Sequence, residues 1–190
     1  MWPSIQRHGL LSTSALLDLY GVAGPERARI EHTRRPDFIA VQHAQHGEVL
    51  IRDQKPMSDA TLAPVLDGMT PAEWYALLNE RVFFWVNETR LKGLLAAYQR
   101  RKNLVLVLDT AKVMARHAAQ TTLSPINSGY SRRWAVRRGR GTFQSIADWQ
   151  PVRRVNGKTV RQAVAECAVS GGVTNILEAL VETRPVPATK

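Results

Sequence analysis

Two apolar runs limit the folds open to this chain more than any other feature. "RVFFWV" (81–86) is aromatic and β-branched, and "NLVLVLDT" (103–110) is a continuous apolar stretch that reads as a strand buried on both sides. Between them "NETRLKGLLAAYQRR" places Leu91, Leu94, Leu95 and Tyr98 on one helical face. Ahead of them, Thr70 and Glu73 have the spacing of a capping box, with Pro71 at the first helical position. Helix, strand, helix and strand therefore follow one another within about forty residues. The same grammar extends outward. "STSALLDLYG" reads as a capped helix, "GPERARIEHTRR" as a short one, and 38–42 with 48–52 as two strands turning at His46-Gly47. "SDATLAPVLDG" reads as a further capped helix and "AKVMARHAAQ" as another short one, whereas 121–159 reads as loop-rich and basic. The sequence predicts an α+β protein: one domain over 1–184 and a disordered tail over 185–190.

The chain has 190 residues, enough for one substantial core. No apolar run approaches the ~20 residues that cross a bilayer, and the N-terminus lacks a signal-peptide layout. Cys167 is the only cysteine, which excludes an internal disulfide and suits a cytoplasmic protein. The five histidines show no metal-ligand spacing, so no metal is expected, and His43 and His46 read as two exposed side chains.

Charge is unevenly placed. Nine basic residues between Tyr130 and Gln162 face a single acid, Asp148, and supply +8 of the formal net +10. Arg132, Arg133, Arg137, Arg138 and Arg140 are interleaved with Tyr130, Trp134 and Phe143, and Trp149 follows. Guanidinium forks pair with phosphates and aromatic faces stack on bases, so the pattern suits single-stranded or unstacked nucleic acid. The competing reading is a solvated basic surface.

Just downstream, "VRQAVAECAVSGGV" (160–173) sets one carboxylate, Glu166, among small apolar residues. As a strand, 160–169 would put Ala163, Ala165, Cys167 and Val169 on one face and Glu166 with Val164 and Ala168 on the other. As an alanine-rich helix it would leave Glu166 in water. Periodicity alone leaves both open.

Several blocks, in order, resemble the DarT-type ADP-ribosyltransferases and a related bacterial family without assigned function. They are "WPSIQRHGLLSTSALL", "NERVFFWVNETRLKGLL", "NLVLVLDT" and "AVAECAVSGGVTNI", and together they span about 170 residues. The resemblance implies a split mixed β-sheet with flanking helices that binds NAD as a substrate in its cleft. It implies transfer of ADP-ribose to DNA, RNA or protein, a toxin or phage-defence role, and an antitoxin partner. Glu166 matches the family's catalytic glutamate. Phe83, Phe84 and Trp85 match the aromatic wall of the nicotinamide pocket. Arg52 would reach the diphosphate, and Ser12 and Thr13 would touch the ligand if they do not merely cap a helix. The family also carries a first strand, with a histidine or arginine that holds the ribose, ahead of the "WPSI" block. This sequence opens inside that block, and His8 falls after the strand position. A catalytically silent nucleic-acid-binding module, an NAD hydrolase and an RNA 2′-phosphotransferase-like protein are the competing expectations.

Overall fold

A computed structural model describes residues 2–131, 136–155, 158–161 and 163–189, with the backbone alone for 153–155 and 158–160. α1 (Trp2–His8) ends at Gly9, whose φ of +80° turns the chain into β1 (Leu10–Leu11). Next come α2 (Thr13–Leu19), capped by Ser12, and α3 (Gly24–His32), with proline in its first turn. β2 (Ile39–His43) and β3 (Gly47–Ile51) form the expected hairpin, displaced by one residue from the sequence reading. Its Val41 and Ile51 pack on Leu17, Tyr20 and Ile30 as one core cluster.

α4 (Asp59–Leu62) is shorter than expected, because Pro64 supplies no amide to continue it and a 3₁₀ turn leads into β4 (Leu66–Asp67). α5 (Pro71–Asn79) carries the capping box, Thr70 Oγ1 accepting from Glu73 N and Thr70 N donating to Glu73 Oε2. β5 (Arg81–Trp85), α6 (Glu88–Ala97), β6 (Asn103–Leu108) and α7 (Thr110–His117) fall where the apolar runs put them. β6 is not buried on both sides as read: it lies in a two-stranded ribbon, is half-buried at most of its positions, and leaves Leu104 exposed.

The stretch read as loop is richer than its turn signals suggest. It contains β7 (Thr121–Ser124), β8 (Arg138–Gly139), β9 (Gln144–Ser145) and β10 (Val152–Val155), the last pairing with β11 (Lys158–Arg161). β12 (Glu166–Ser170), β13 (Gly172–Val173), α8 (Ile176–Ala179) and β14 (Leu180–Val186) complete the chain. The segment 160–169 is thus not one strand as read: β11 ends at Arg161 and β12 begins at Glu166. Pro185 and Val186 pair with Leu104 and Asn103, and Thr189 N donates to Gln99 O. Of the stretch expected as a tail, Pro185 and Val186 thus continue a ribbon.

The main sheet is antiparallel in the order β5-β12-β7-β9, so β12 is interior. On one face Ala168 and Phe83 join Trp74, Tyr75 and Leu78 of α5; on the other Val169 and Phe84 join Val113 of α7 and Ile176 of α8. Helices on both faces and short antiparallel ladders, with one parallel pair between β4 and β8 among the described residues, make this an α+β fold.

Candidate active site

Glu166 is the first residue of β12, lying between Trp85 of β5 and Ser124 of β7. Alternation along the strand puts its side chain on the Ala168 face, toward α5. It is 3% exposed. The segment following β7 closes over it. Ser124 Oγ donates to Ile126 O, Ser131 N donates to Pro56 O, and the Ser131 and Thr61 hydroxyls share a hydrogen bond. That anchorage presents Ser128, whose N and Oγ donate to Glu166 Oε2 at 3.0 and 2.7 Å.

Ser128 is gripped from its other side too. Arg138 is 3% exposed, and its Nη1 donates to Ser128 O and Tyr130 O while its Nε donates to Val136 O. Its guanidinium lies 5.8 Å from the centre of the Trp74 ring. Burial pushes the Glu166 carboxyl above its ordinary range; the two Ser128 bonds and the charges of Arg90 and Arg138 pull the other way. Burial lowers the Arg138 pKa, and Glu166 partly restores it. The arrangement is a buried carboxylate whose Oε2 takes two Ser128 donors and on which two arginine charges act, at the end of an interior strand. Such a group can steady developing positive charge or exchange a proton.

The other expected residues scatter. Trp85 stands across from Glu166 and is half-buried, while Phe83 and Phe84 point to opposite faces and join different core clusters. Two of the three aromatics are therefore packing residues, and one pocket cannot be walled by all three. Ser12 is buried and its Oγ accepts from Ala15 N, which makes it the N-cap of α2. Because Ser12 N donates to Gly171 O, it and Thr13 sit about five residues from Glu166 along β12, roughly 16 Å. Arg52 stacks on the ring of Tyr98 at 3.7 Å, away from the carboxylate's hydrogen bonds.

The expected nucleic-acid contacts divide as well. Arg132, Arg133 and Trp134 lie outside the described residues. Arg137 and Arg140 are exposed and face Asp67 at 3.2 Å and Glu73 at 4.0 Å. Arg138 corrects the reading: three carbonyls occupy its guanidinium, and burial keeps it from a phosphate. Phe143, interleaved with the arginines in sequence, belongs to the core and stacks on Trp74.

Sequence reasoning missed Ser128 and Arg90. A serine in a turn-rich "SPINSG" stretch carries no mark of its partner 38 residues away. His43 and His46, read as two exposed side chains, are half-buried and stack at 4.5 Å, with His8 edge-on to His46. Among the described residues, no group of three or more His, Cys, Asp or Glu is arranged to hold a metal, and no helix is long and apolar enough to cross a membrane.

Fold and site together define an α+β protein with a buried glutamate at the head of an interior strand. Residues 1–180 match the model of a family of unknown function (DUF7002), and the chain belongs to that family. No curated protein and no solved structure matches it significantly.

Proposed function

We propose that this protein is an NAD-dependent mono-ADP-ribosyltransferase acting on nucleic acid, with Glu166 as its catalytic carboxylate and an ADP-ribosyltransferase-like split sheet as its scaffold. The observation that carries the reading is the placement of Glu166. The one acidic side chain of the "AVAECAV" run is buried on an interior strand directly beside the aromatic strand β5. Burying a carboxylate is unfavourable, and the molecule offsets this with two Ser128 donors and two arginine charges, which is how reactive carboxylates are held.

In the reaction the bond between nicotinamide and the ribose anomeric carbon breaks, and positive charge develops on that carbon. Nicotinamide leaves neutral with the bonding pair. An acceptor N–H or O–H forms the new bond and gives up its proton. The Glu166 carboxylate stabilises the cation, as carboxylates do in glycoside hydrolysis, and can take the proton. Ser128 and Arg138 position it. The basic stretch 130–161 would bring the strand, and a toxin or phage-defence role with an antitoxin partner rests on the family resemblance alone.

The burial of Glu166 also favours a second reading, a silent nucleic-acid-binding module in which the Ser128 clasp is purely structural. Incubation with labelled NAD and single-stranded DNA, RNA or protein separates the two. The transferase reading expects transfer to one acceptor, and Glu166→Gln lowers it about a hundredfold, ~3 kcal/mol, with NAD affinity kept within several-fold. Transfer or NAD hydrolysis undiminished in Glu166→Gln moves the chemistry elsewhere. No turnover with any acceptor leaves the silent module.

A further inference from the structure

At the far end of α6 from Arg90, the chain makes a concave surface. A cavity of about 650 Å³ opens between the segment after β3 and the end of α6, lined by Asp53, Lys55, Tyr98, Gln99, Arg100 and Arg101 among others. Its volume lies within the ~300–1,000 Å³ range of ligand pockets. Arg90, whose charge acts on Glu166, and Tyr98 are eight residues apart on this helix and its cap, roughly 12 Å. Glu166 is not among the cavity's lining residues, and Pro56, which is, accepts from Ser131 N of the segment that covers Glu166.

The cations there are held in place. Arg52 stacks over Tyr98 at 3.7 Å, and Arg101 over Phe38 at 4.1 Å. A guanidinium fixed by its face keeps its N–H edges directed outward, so little side-chain freedom is lost when an anion arrives. Lys55, Arg100 and Arg101 line the cavity itself, while Arg52 on Tyr98 and Arg34, whose Nη2 donates to Lys55 O, stand against lining residues. Two carboxylates oppose them. Asp37 pairs with Lys55 at the exposed rim. Asp53 is 7% exposed, and its Oδ1 accepts from the Tyr98 hydroxyl and Lys55 N, which builds the floor and leaves the rim basic.

We propose that this cavity is a phosphate-binding site, taking either a free nucleotide's phosphates or the backbone of a single-stranded nucleic acid. Several forked donors around a concave, net-positive surface match the many acceptor oxygens of phosphates. An acidic peptide offers carboxylates spaced by a flexible chain, which this fixed geometry suits less well. The inference does not depend on transfer chemistry: a protein inert toward NAD would still bind here.

The test is fluorescence anisotropy on the full chain with two probes, labelled ADP and a labelled twelve-residue oligothymidylate, with poly-glutamate as competitor. Arg100→Gln with Arg101→Gln removes two exposed cations, and the circular dichroism spectrum and melting temperature should stay at wild-type values. Loss of ADP affinity by tenfold or more assigns the cavity to a free nucleotide. An equal loss for the oligonucleotide, with the salt slope falling by up to about 1.4 at about 0.7 per phosphate contact, assigns it to a strand. The proposal is overturned if neither probe binds wild type, if the variant binds both unchanged, or if poly-glutamate displaces them at equal charge concentration.

Discussion

A single serine joins the two residues on which the site depends. Ser128 donates twice to Glu166 and accepts from Arg138, so the carboxylate and guanidinium are coupled through its backbone and hydroxyl. The burial that makes Glu166 interesting also sets how its charge affects folding. Burial lifts its pKa above the ordinary 4.5, so the neutral acid is the better tolerated form in the folded chain. The stabilisation linked to that proton is complete below about pH 4.5 and is lost as pH rises through the folded-state value. Glu166→Gln cannot titrate. Urea unfolding of the two proteins across pH 4 to 8 should therefore show the variant gaining on wild type as pH rises, by up to about 1.4 kcal/mol per pH unit within the window. Parallel curves would mean that the Ser128 bonds and the arginine charges offset burial completely.

Elements were legible in the sequence to the degree that local physics decided them. The capping box of α5, the aromatic β5 and the apolar β6 carry their signals in adjacent residues, and all three stand where expected. β7 did not announce itself, because "TTLS" is short and polar; it is a strand because β12 and β9 pair with its two edges. The start of β12 at Glu166 was equally hidden: Val160 and Arg161 are claimed by the hairpin with β10, a contact set by pairing and not by periodicity. That hairpin changes the expectation for nucleic acid. Its sequence holds Arg153, Arg154, Lys158 and Arg161 with no acid between 152 and 161, whereas Arg137 and Arg140 must release Asp67 and Glu73 to reach a phosphate. Changing the four hairpin cations to Gln should flatten the salt dependence of oligonucleotide binding by up to about 2.8 in log–log slope, at about 0.7 per contact. Arg137→Gln with Arg140→Gln should flatten it by less than about 1.4. A larger effect from the second pair would show that the acids do not restrain those arginines.

At the scale of the whole molecule, the N-terminal segment is tied to the strand that follows the site. β1 pairs with β13, Leu10 opposite Val173 and Leu11 opposite Gly172, so the N-terminal segment is bound to the strand that directly follows β12. Two glycines allow the approach. A Cβ on Gly172 would lie 2.6 Å from Leu10 O, and one on Gly9 would lie 2.3 Å from the Thr174 Cα. Gly9 also has φ +80°, in the left-handed region that L side chains rarely adopt. Both obstacles are backbone, which cannot swing aside as a side-chain tip can. Gly9→Ala must therefore part β1 from β13 or shift the turn at 171–174, and Val173 and Ile176 of the α7 cluster stand on that turn. Strain at such a position costs on the order of 1–3 kcal/mol or more, and a protein of this size loses about 2–4 °C of melting temperature per kcal/mol. Gly21→Ala is the control, since its φ is +63° but nothing lies within 4 Å of the added carbon. Differential scanning calorimetry should show Gly9→Ala melting several degrees below Gly21→Ala. Equal melting temperatures would mean that the N-terminal segment merely rests on β13, and that the fold around Glu166 is closed without it.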